Sequence, residues 1–362
     1  EQRRAAQKMP AVAATLIEPH SILTPPCAPV PAPGPSPSPP VDVLFLAVGA
    51  NPQLSRASGT ARSVDAHVGR PSPVRYHLLV DQPSQHPLAI NAAWRPFSGR
   101  VFVHSTACLS AAGAALHRRL STTATGPGAV YLYKPLLHLL LPAWLPKVLV
   151  LDADVFVVAD VRRLWAELDR FGPAACAGLA VEQAPSYAHV RARGGLNFNG
   201  GVQLLDLDRM RSSARYAARL SDAADGRLPG LKADEKRIGF LGDQTLYSLM
   251  TVAPAANGTG DGRGLFHALP CGWNRQTGTH MAGWPGFWAA HACHERCGLL
   301  HFNFAGHKAL AEALKAEAAA GGEWRAACRA VFDRARRTDP LFRNGSADAR
   351  MLGEVSGCCA AE

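Results

Sequence analysis

Apolar residues in this chain fall into short unbroken runs separated by amphipathic or loop-like stretches. Val43-Leu44-Phe45-Leu46-Ala47-Val48 contains no polar residue and stops at Gly49, the pattern of a strand buried on both faces. Tyr76 to Asp81 and Val101 to His104 repeat it. Ala129 to Leu141 is long enough for a helix, which Pro142 would end, and Val148-Leu149-Val150-Leu151 is another buried strand. Asp160 stands where it can cap a helix whose Val161, Leu164, Trp165 and Leu168 recur at helical spacing. Gly201 to Leu205 predicts a further strand leading into a helix through Met210 and Leu220, and residues 307–336 read as helical. Strands alternating with helices predict an α/β protein with a mostly parallel central sheet flanked by helices.

Composition divides the chain. Nine prolines among the sixteen residues from Pro25 to Pro40 favour extended polyproline II, so residues 1–40 are expected to be a disordered tether. Residues 41–335 are expected to form one α/β domain and residues 336–362 a C-terminal tail. With 48% hydrophobic and 18% charged residues, a wholly disordered chain is excluded. The net charge of +10 comes from scattered arginines with no run of five, so no nucleic-acid partner is expected. Leu136 to Leu151 is the longest apolar stretch, but His138, Pro142, Pro146 and Lys147 interrupt it, so it reads as core. Membrane attachment is expected only through an anchor outside this chain. Nine cysteines and the sequons at Asn257 and Asn344 favour an oxidising, secretory-pathway lumen.

Four groups of residues can carry chemistry. Asp152-Ala153-Asp154 ends the buried strand Val148–Leu151, at the edge where open α/β sheets bind ligands; alternation puts both carboxylates on one side. Two such hard ligands suit Mn²⁺ or Mg²⁺ bridging to a diphosphate, whereas the similar Asp206-Leu207-Asp208 begins a predicted helix and serves its N-terminus. His301 can complete the pair as a nitrogen ligand, and Lys308 can face phosphate. Asp243-Gln244 can hold sugar hydroxyls, although Asp243 also reads as a helix N-cap; Asn199 precedes a strand in Asn199-Gly200-Gly201. His291, Cys293, His294 and Cys297 can be read as a zinc cluster, but their spacing fits no standard finger. No P-loop, G-x-S-x-G or H-E-x-x-H pattern is present.

In order along the chain, "VLFLAVGAN", "YHLLVD", "YLYKPLLHLLLPAWLPKVLVLDADVFVVADVRRLW", "NFNGGVQLLDLDRMR", "GDQTLYS", "LPCGWNRQTGTH" and "LLHFNFAGHK" resemble the family-8 retaining glycosyltransferases of the GT-A fold. The resemblance is greatest to the glucoside xylosyltransferases and to the xylosyltransferase domain of the LARGE-type matriglycan synthases. It covers roughly residues 43–310. It implies Mn²⁺ (or Mg²⁺) held by Asp152, Asp154 and His301, and a UDP-sugar donor, most simply UDP-xylose. Val48 and Asn51 would face uridine, with Lys134, Ala153, Gly306 and Lys308 along the nucleotide. Asn199, Asp243 and Gln244 would hold the transferred sugar, and Trp273 and Asn274 would lie on the acceptor side. The implied partners are the UDP-sugar and a glycan or glycoprotein acceptor, and the implied compartment is the Golgi or endoplasmic reticulum lumen. Where the family shows D-Q-D, this chain has Asp243-Gln244-Thr245.

Overall fold

The computed structural model describes residues 27, 32–34, 39–49, 52–68, 73–81, 92–122, 124–125, 128–228, 238–239, 241–253, 262–320, 323–342 and 345–359. Most of the Pro-rich tether, Asn51 and the sequon residues Asn257 and Asn344 lie outside them.

Ten strands are present among the described residues: β1 Val41–Leu46, β2 Val74–Val80, β3 Val101–Ser105, β4 Lys147–Leu151, β5 Val155–Val157, β6 Ala177–Val181, β7 Phe198–Asp206, β8 Phe266–Leu269, β9 Arg275–Gln276 and β10 Leu299–His301. Seven of them make one sheet in the order β3-β2-β1-β4-β7-β6-β8. Only β7 runs antiparallel to its neighbours, β4 and β6. The continuous apolar runs are explained by burial on both faces. Leu44, Val148, Val150 and Leu205 join one core; Val43, Phe45, Leu149, Leu151 and Leu204 join the core on the opposite face.

The chain lays β2 and β3 to one side of β1 and then returns to place β4 on the other. That reversal opens a crevice at the carboxyl ends of β1 and β4, the place where doubly wound sheets bind ligands. A second, three-stranded sheet, β5-β10-β9, begins there. Asp152-Ala153-Asp154 is the turn that carries the chain from β4 to β5. In β10, His301 pairs in register with Val155, so its imidazole comes to lie beside that turn.

Three expected elements differ. The single helix over Ala129–Leu141 is broken into Gly128–Tyr131, a 3-10 turn Lys134–Leu136 and Leu137–Leu140, because Pro135 lacks the amide that a continuous helix needs. Residues 307–336 hold two helices, Lys308–Ala319 and Trp324–Thr338, and the intervening chain contains Gly321 and Gly322. Residues 336–362 are not a tail over their described part. Ala347–Ser356 is a helix whose Met351, Leu352 and Val355 pack against Phe156, Leu300, Phe302 and Phe332 in a third core. Burying these three side chains contributes on the order of 5 kcal/mol, and disulfides Cys297–Cys358 and Cys328–Cys359 fasten the end of the chain.

Candidate active site

Asp152, Asp154 and His301 converge at the crevice, with one candidate ligand atom from each lying within 4.8 Å of the others. His301 Nε2 is 3.5 Å from Asp154 Oδ1 and 3.9 Å from Asp152 Oδ2. The backbone N–H of Gly201 donates to Asn199 Oδ1 (3.0 Å), which also accepts from Asn274 Nδ2 (2.9 Å). Asn274 therefore turns its oxygen to His301 Nδ1 at 3.0 Å, where it accepts that nitrogen's proton, and leaves Nε2 facing the two carboxylates. Two carboxylates and a neutral imidazole nitrogen form a donor set that suits Mn²⁺ or Mg²⁺. The ring fits because Gly201 has no side chain: a Cβ there would lie 2.1 Å from His301 Cε1.

Three lysines compensate the acids. Lys134, presented by the turn at Pro135, is buried; its Nζ donates to Asp152 Oδ1 and to Gly200 O, both at 2.8 Å, and lies 3.3 Å from Asp243 Oδ2. Burial alone would lower its pKa, but Asp152 and Asp243 outweigh burial and raise it. Lys308 Nζ is 3.5 Å from Asp154 Oδ2. For Asp154, burial acts upward but is outweighed by the hydrogen bond and charge of His301 and by Lys308 and Lys315, and its pKa falls well below the carboxylate range. Burial would lower the His301 pKa, yet Asp154, Asp152 and Glu182 raise it.

Asp243 is not the N-cap of its helix. Gly242, at φ +51°, takes that position, and Asp243 opens the first turn with its carboxylate directed inward against Gln203 Nε2. Burial drives its pKa up to about 6; Lys134 restrains the rise and Asp152 adds to it. Asp206 does cap a helix, accepting from Arg209 N, as Asp160 does from Arg162 N.

Asn199 and Gln244 meet on a residue that sequence reasoning did not single out. Glu182, 5% exposed just beyond β6, accepts from Asn199 Nδ2 at 3.0 Å and Gln244 Nε2 at 2.6 Å through one oxygen, and from Ala184 N at 3.1 Å through the other. Gln244 Oε1 in turn accepts from Gly200 N at 3.1 Å. Burial raises the Glu182 pKa, with Asn199 and Gln244 opposing the rise. A lone carboxylate after an apolar run was its only sequence signal, the one that marked Asp152 without the repeat at Asp154.

The remaining expected residues are more scattered. Val48 lies just past β1 and is partly exposed; Asn51 is outside the described residues. Gly306 stands in the 3-10 turn before Lys308. Asn274 joins the His301 network, whereas Trp273 is 9% exposed and its indole packs in the apolar core, where Gly298 leaves it room. Thr245 donates to or accepts from Tyr187 Oη at 2.8 Å. The zinc cluster does not form, because Cys293 bonds Cys271 and Cys297 bonds Cys358.

No family model matches the chain. Xyloside xylosyltransferase 1 of Mus musculus is 30% identical over 165 residues, 41% of this chain and 39% of that protein. Xylosyl- and glucuronyltransferase LARGE1 of Homo sapiens is 26% identical over 220 residues, 58% of this chain and 26% of that one. The chain thus spans about two fifths or less of the length of these relatives. The crystal structure of mouse xyloside xylosyltransferase 1 superposes with a TM-score of 0.60 at 26% identity, covering 73% of this chain and 98% of that one. The chain therefore shares the GT-A fold of mouse xyloside xylosyltransferase 1 and is similar in sequence, over part of its length, to the xyloside xylosyltransferases and the LARGE xylosyl- and glucuronyltransferases.

Proposed function

We propose that this chain transfers a sugar, most simply xylose, from a UDP-sugar to a hydroxyl of a glycan or glycoprotein, with retention of configuration and with Mn²⁺ or Mg²⁺ as cofactor. The observation that carries this reading is the convergence of Asp152, Asp154 and His301 at the carboxyl end of β4, in the crevice where the strand order reverses. The metal, when bound by these three residues, supplies a Lewis acid beside the leaving diphosphate.

Other residues bind and orient. Val48, and Asn51 beyond the described residues, take the uridine side, while Lys134, Lys308 and the turn at Gly306 offer positive charge and backbone to the diphosphate. Asn199, Asp243 and Gln244 hold the sugar. Retention follows when the acceptor hydroxyl approaches on the leaving-group face and passes its proton to a diphosphate oxygen, so no enzyme carboxylate is required as nucleophile. Three disulfides support work in an oxidising lumen such as the Golgi or endoplasmic reticulum. Among the described residues no helix is long and apolar enough to cross a membrane.

The test is a panel of UDP-sugars incubated with purified protein, with Mn²⁺ or with chelator, and release of UDP as the readout. UDP-xylose should be hydrolysed slowly with Mn²⁺ only, and Asp154→Asn should remove that activity. Hydrolysis that survives both chelation and Asp154→Asn sinks the metal assignment; preference for UDP-glucose or UDP-galactose would replace the donor. Tight UDP binding without turnover on any donor would instead identify a non-catalytic relative, a reading favoured by Thr245, whose hydroxyl is engaged by Tyr187.

A further inference from the structure

Six of the nine cysteines are paired, which leaves Cys27, Cys108 and Cys176 outside the three bridges. These three are not equivalent. Cys176 is fully buried in the first core just before β6, where its thiol donates to Leu265 O at 3.6 Å. Among the described residues no other cysteine joins that core. Cys27 is exposed and Cys108 partly so, and their side chains are hydrogen-bonded to each other.

The fold explains how two residues so distant in sequence can meet. β3 is an edge strand of the large sheet, parallel to β2, and Cys108 ends the 3-10 turn Thr106–Cys108 at its carboxyl end. Ser105 Oγ caps that turn by accepting from Ala107 N at 3.2 Å, and Leu109 N donates to Thr106 O at 3.3 Å, so Cys108 stands on a fixed support. Val41, where the chain from Cys27 enters the domain, begins β1 at the opposite end of the sheet. The register sets Val41 opposite Val74 and Ser105 opposite Val80, so Val41 and Cys108 stand roughly 25–30 Å apart. The fourteen residue steps from Cys27 to Val41 have a reach of about 43 Å in polyproline II, the conformation that their prolines favour. The connection is long enough to run the length of the sheet.

We propose that Cys27 and Cys108 form a fourth disulfide, which fastens the Pro-rich segment to the carboxyl end of β3. The inference is independent of donor and metal. Formation needs a disulfide oxidant, either a protein disulfide or oxidised glutathione. The exposed Cys27 attacks as thiolate on one sulfur of that disulfide and expels the other as a thiol; Cys108 then attacks the Cys27 sulfur of the mixed disulfide and expels the second. Two protein thiols are oxidised, the oxidant is reduced to two thiols, and the two protons pass to those leaving sulfurs. Cys176 remains as the one cysteine without a bridge, which accounts for the odd number. The consequence is positional. Residues before Cys27 leave the domain at the carboxyl ends of the strands, the end that bears the crevice, and not at the start of β1.

The test is peptide mapping of the full chain, expressed into an oxidising secretory compartment and alkylated after denaturation without reductant. Cys176 should be the single alkylated cysteine, and the Cys27 peptide should be recovered linked to the Cys108 peptide. On a non-reducing gel the denatured wild type should run ahead of Cys27→Ser, because the bridge closes a loop from residue 27 to residue 108; reduction should abolish the difference. Cys27→Ser should open both Cys108 and Cys176 to alkylation while leaving the other three bridges in place. Alkylation of both Cys27 and Cys108 in the wild type would overturn the proposal. So would a Cys27 peptide linked to a second Cys27, which would make it a bridge between copies of the chain, or one linked to Cys176.

Discussion

At Gly201 the imidazole of His301 lies directly over the backbone of β7, and any side chain would enter the ring. Gly201→Ala should therefore push His301 off the carboxylates while leaving most of the fold in place. Mn²⁺-dependent hydrolysis should drop about 100-fold, with Mn²⁺ affinity by calorimetry falling alongside it; unchanged affinity would mean the ring can move without cost. Asp243 gives a pH prediction. Its folded pKa of about 6 lies above the ordinary value of 3.8, so above that range the folded state bears the cost of a buried charge. As pH falls through about 6 the folded state takes up a proton first and the cost is relieved. In metal-free protein, the stability of wild type relative to Asp243→Asn should thus rise by up to about 3 kcal/mol between pH ~7 and ~4. Urea melts of the two proteins across that range would show it, and a constant difference would refute it. The inward turn of Asp243 was hidden in the sequence because Asp beside an apolar helical run reads as a cap. The positive φ of Gly242, which frees Asp243 from capping, belongs to the backbone and not to the residue pattern. Glu182 was hidden for another reason: its partners arrive from Asn199 and Gln244, both distant in sequence.

Elements were legible where one kind of burial governed a whole segment. β1, β2 and β4 are mostly apolar because both faces are covered, and their runs mark them within a residue or two. Elements whose shape depends on a distant partner were not legible. The break at Pro135 reads as a blemish in a helix, yet it is what turns Lys134 into the site. The helix Ala347–Ser356 is short, and its reason for existing lies on β10 and the loop beyond it. Asp348 on that helix accepts from His307 Nε2 at 2.9 Å and from Thr279, holding the turn that precedes Lys308. Glu354, one helical face further on, pairs with Arg275 at 3.0 Å. Asp348→Ala leaves a buried imidazole without its acceptor and should cost about 1–3 kcal/mol in denaturant unfolding. His307→Ala in the same background should cost little more, because the pair has already been lost; additive losses would show that the two act separately.

On the scale of the molecule, the cross-links and the active site share one region. All six bonded cysteines lie between Cys271 and Cys359, and none is in β1 to β7. The count of cysteines pointed to an oxidising compartment, but pairing depends on which segments the third core brings together, so the sequence could not assign it. The bridges span 22, 61 and 31 residues of sequence. Constraining the unfolded chain over such loops stabilises by about 3–4 kcal/mol each. Losing all three should lower Tm by roughly 15 °C for a chain of this length. The loss should also be local, because β1 to β4 keep their two apolar cores without any bridge, whereas the C-terminal helices cover only the smaller third core. Mild reduction should therefore speed hydrogen exchange in residues 297–359 first, leaving β1, β2 and β4 protected. Since His301 stands at the end of β10 within that region, Mn²⁺-dependent hydrolysis should fall before the large sheet unfolds. Exchange that rises uniformly along the reduced chain, or activity that outlasts protection of β10, would mean that the bridges stabilise the whole fold and not the metal-binding wall of the site.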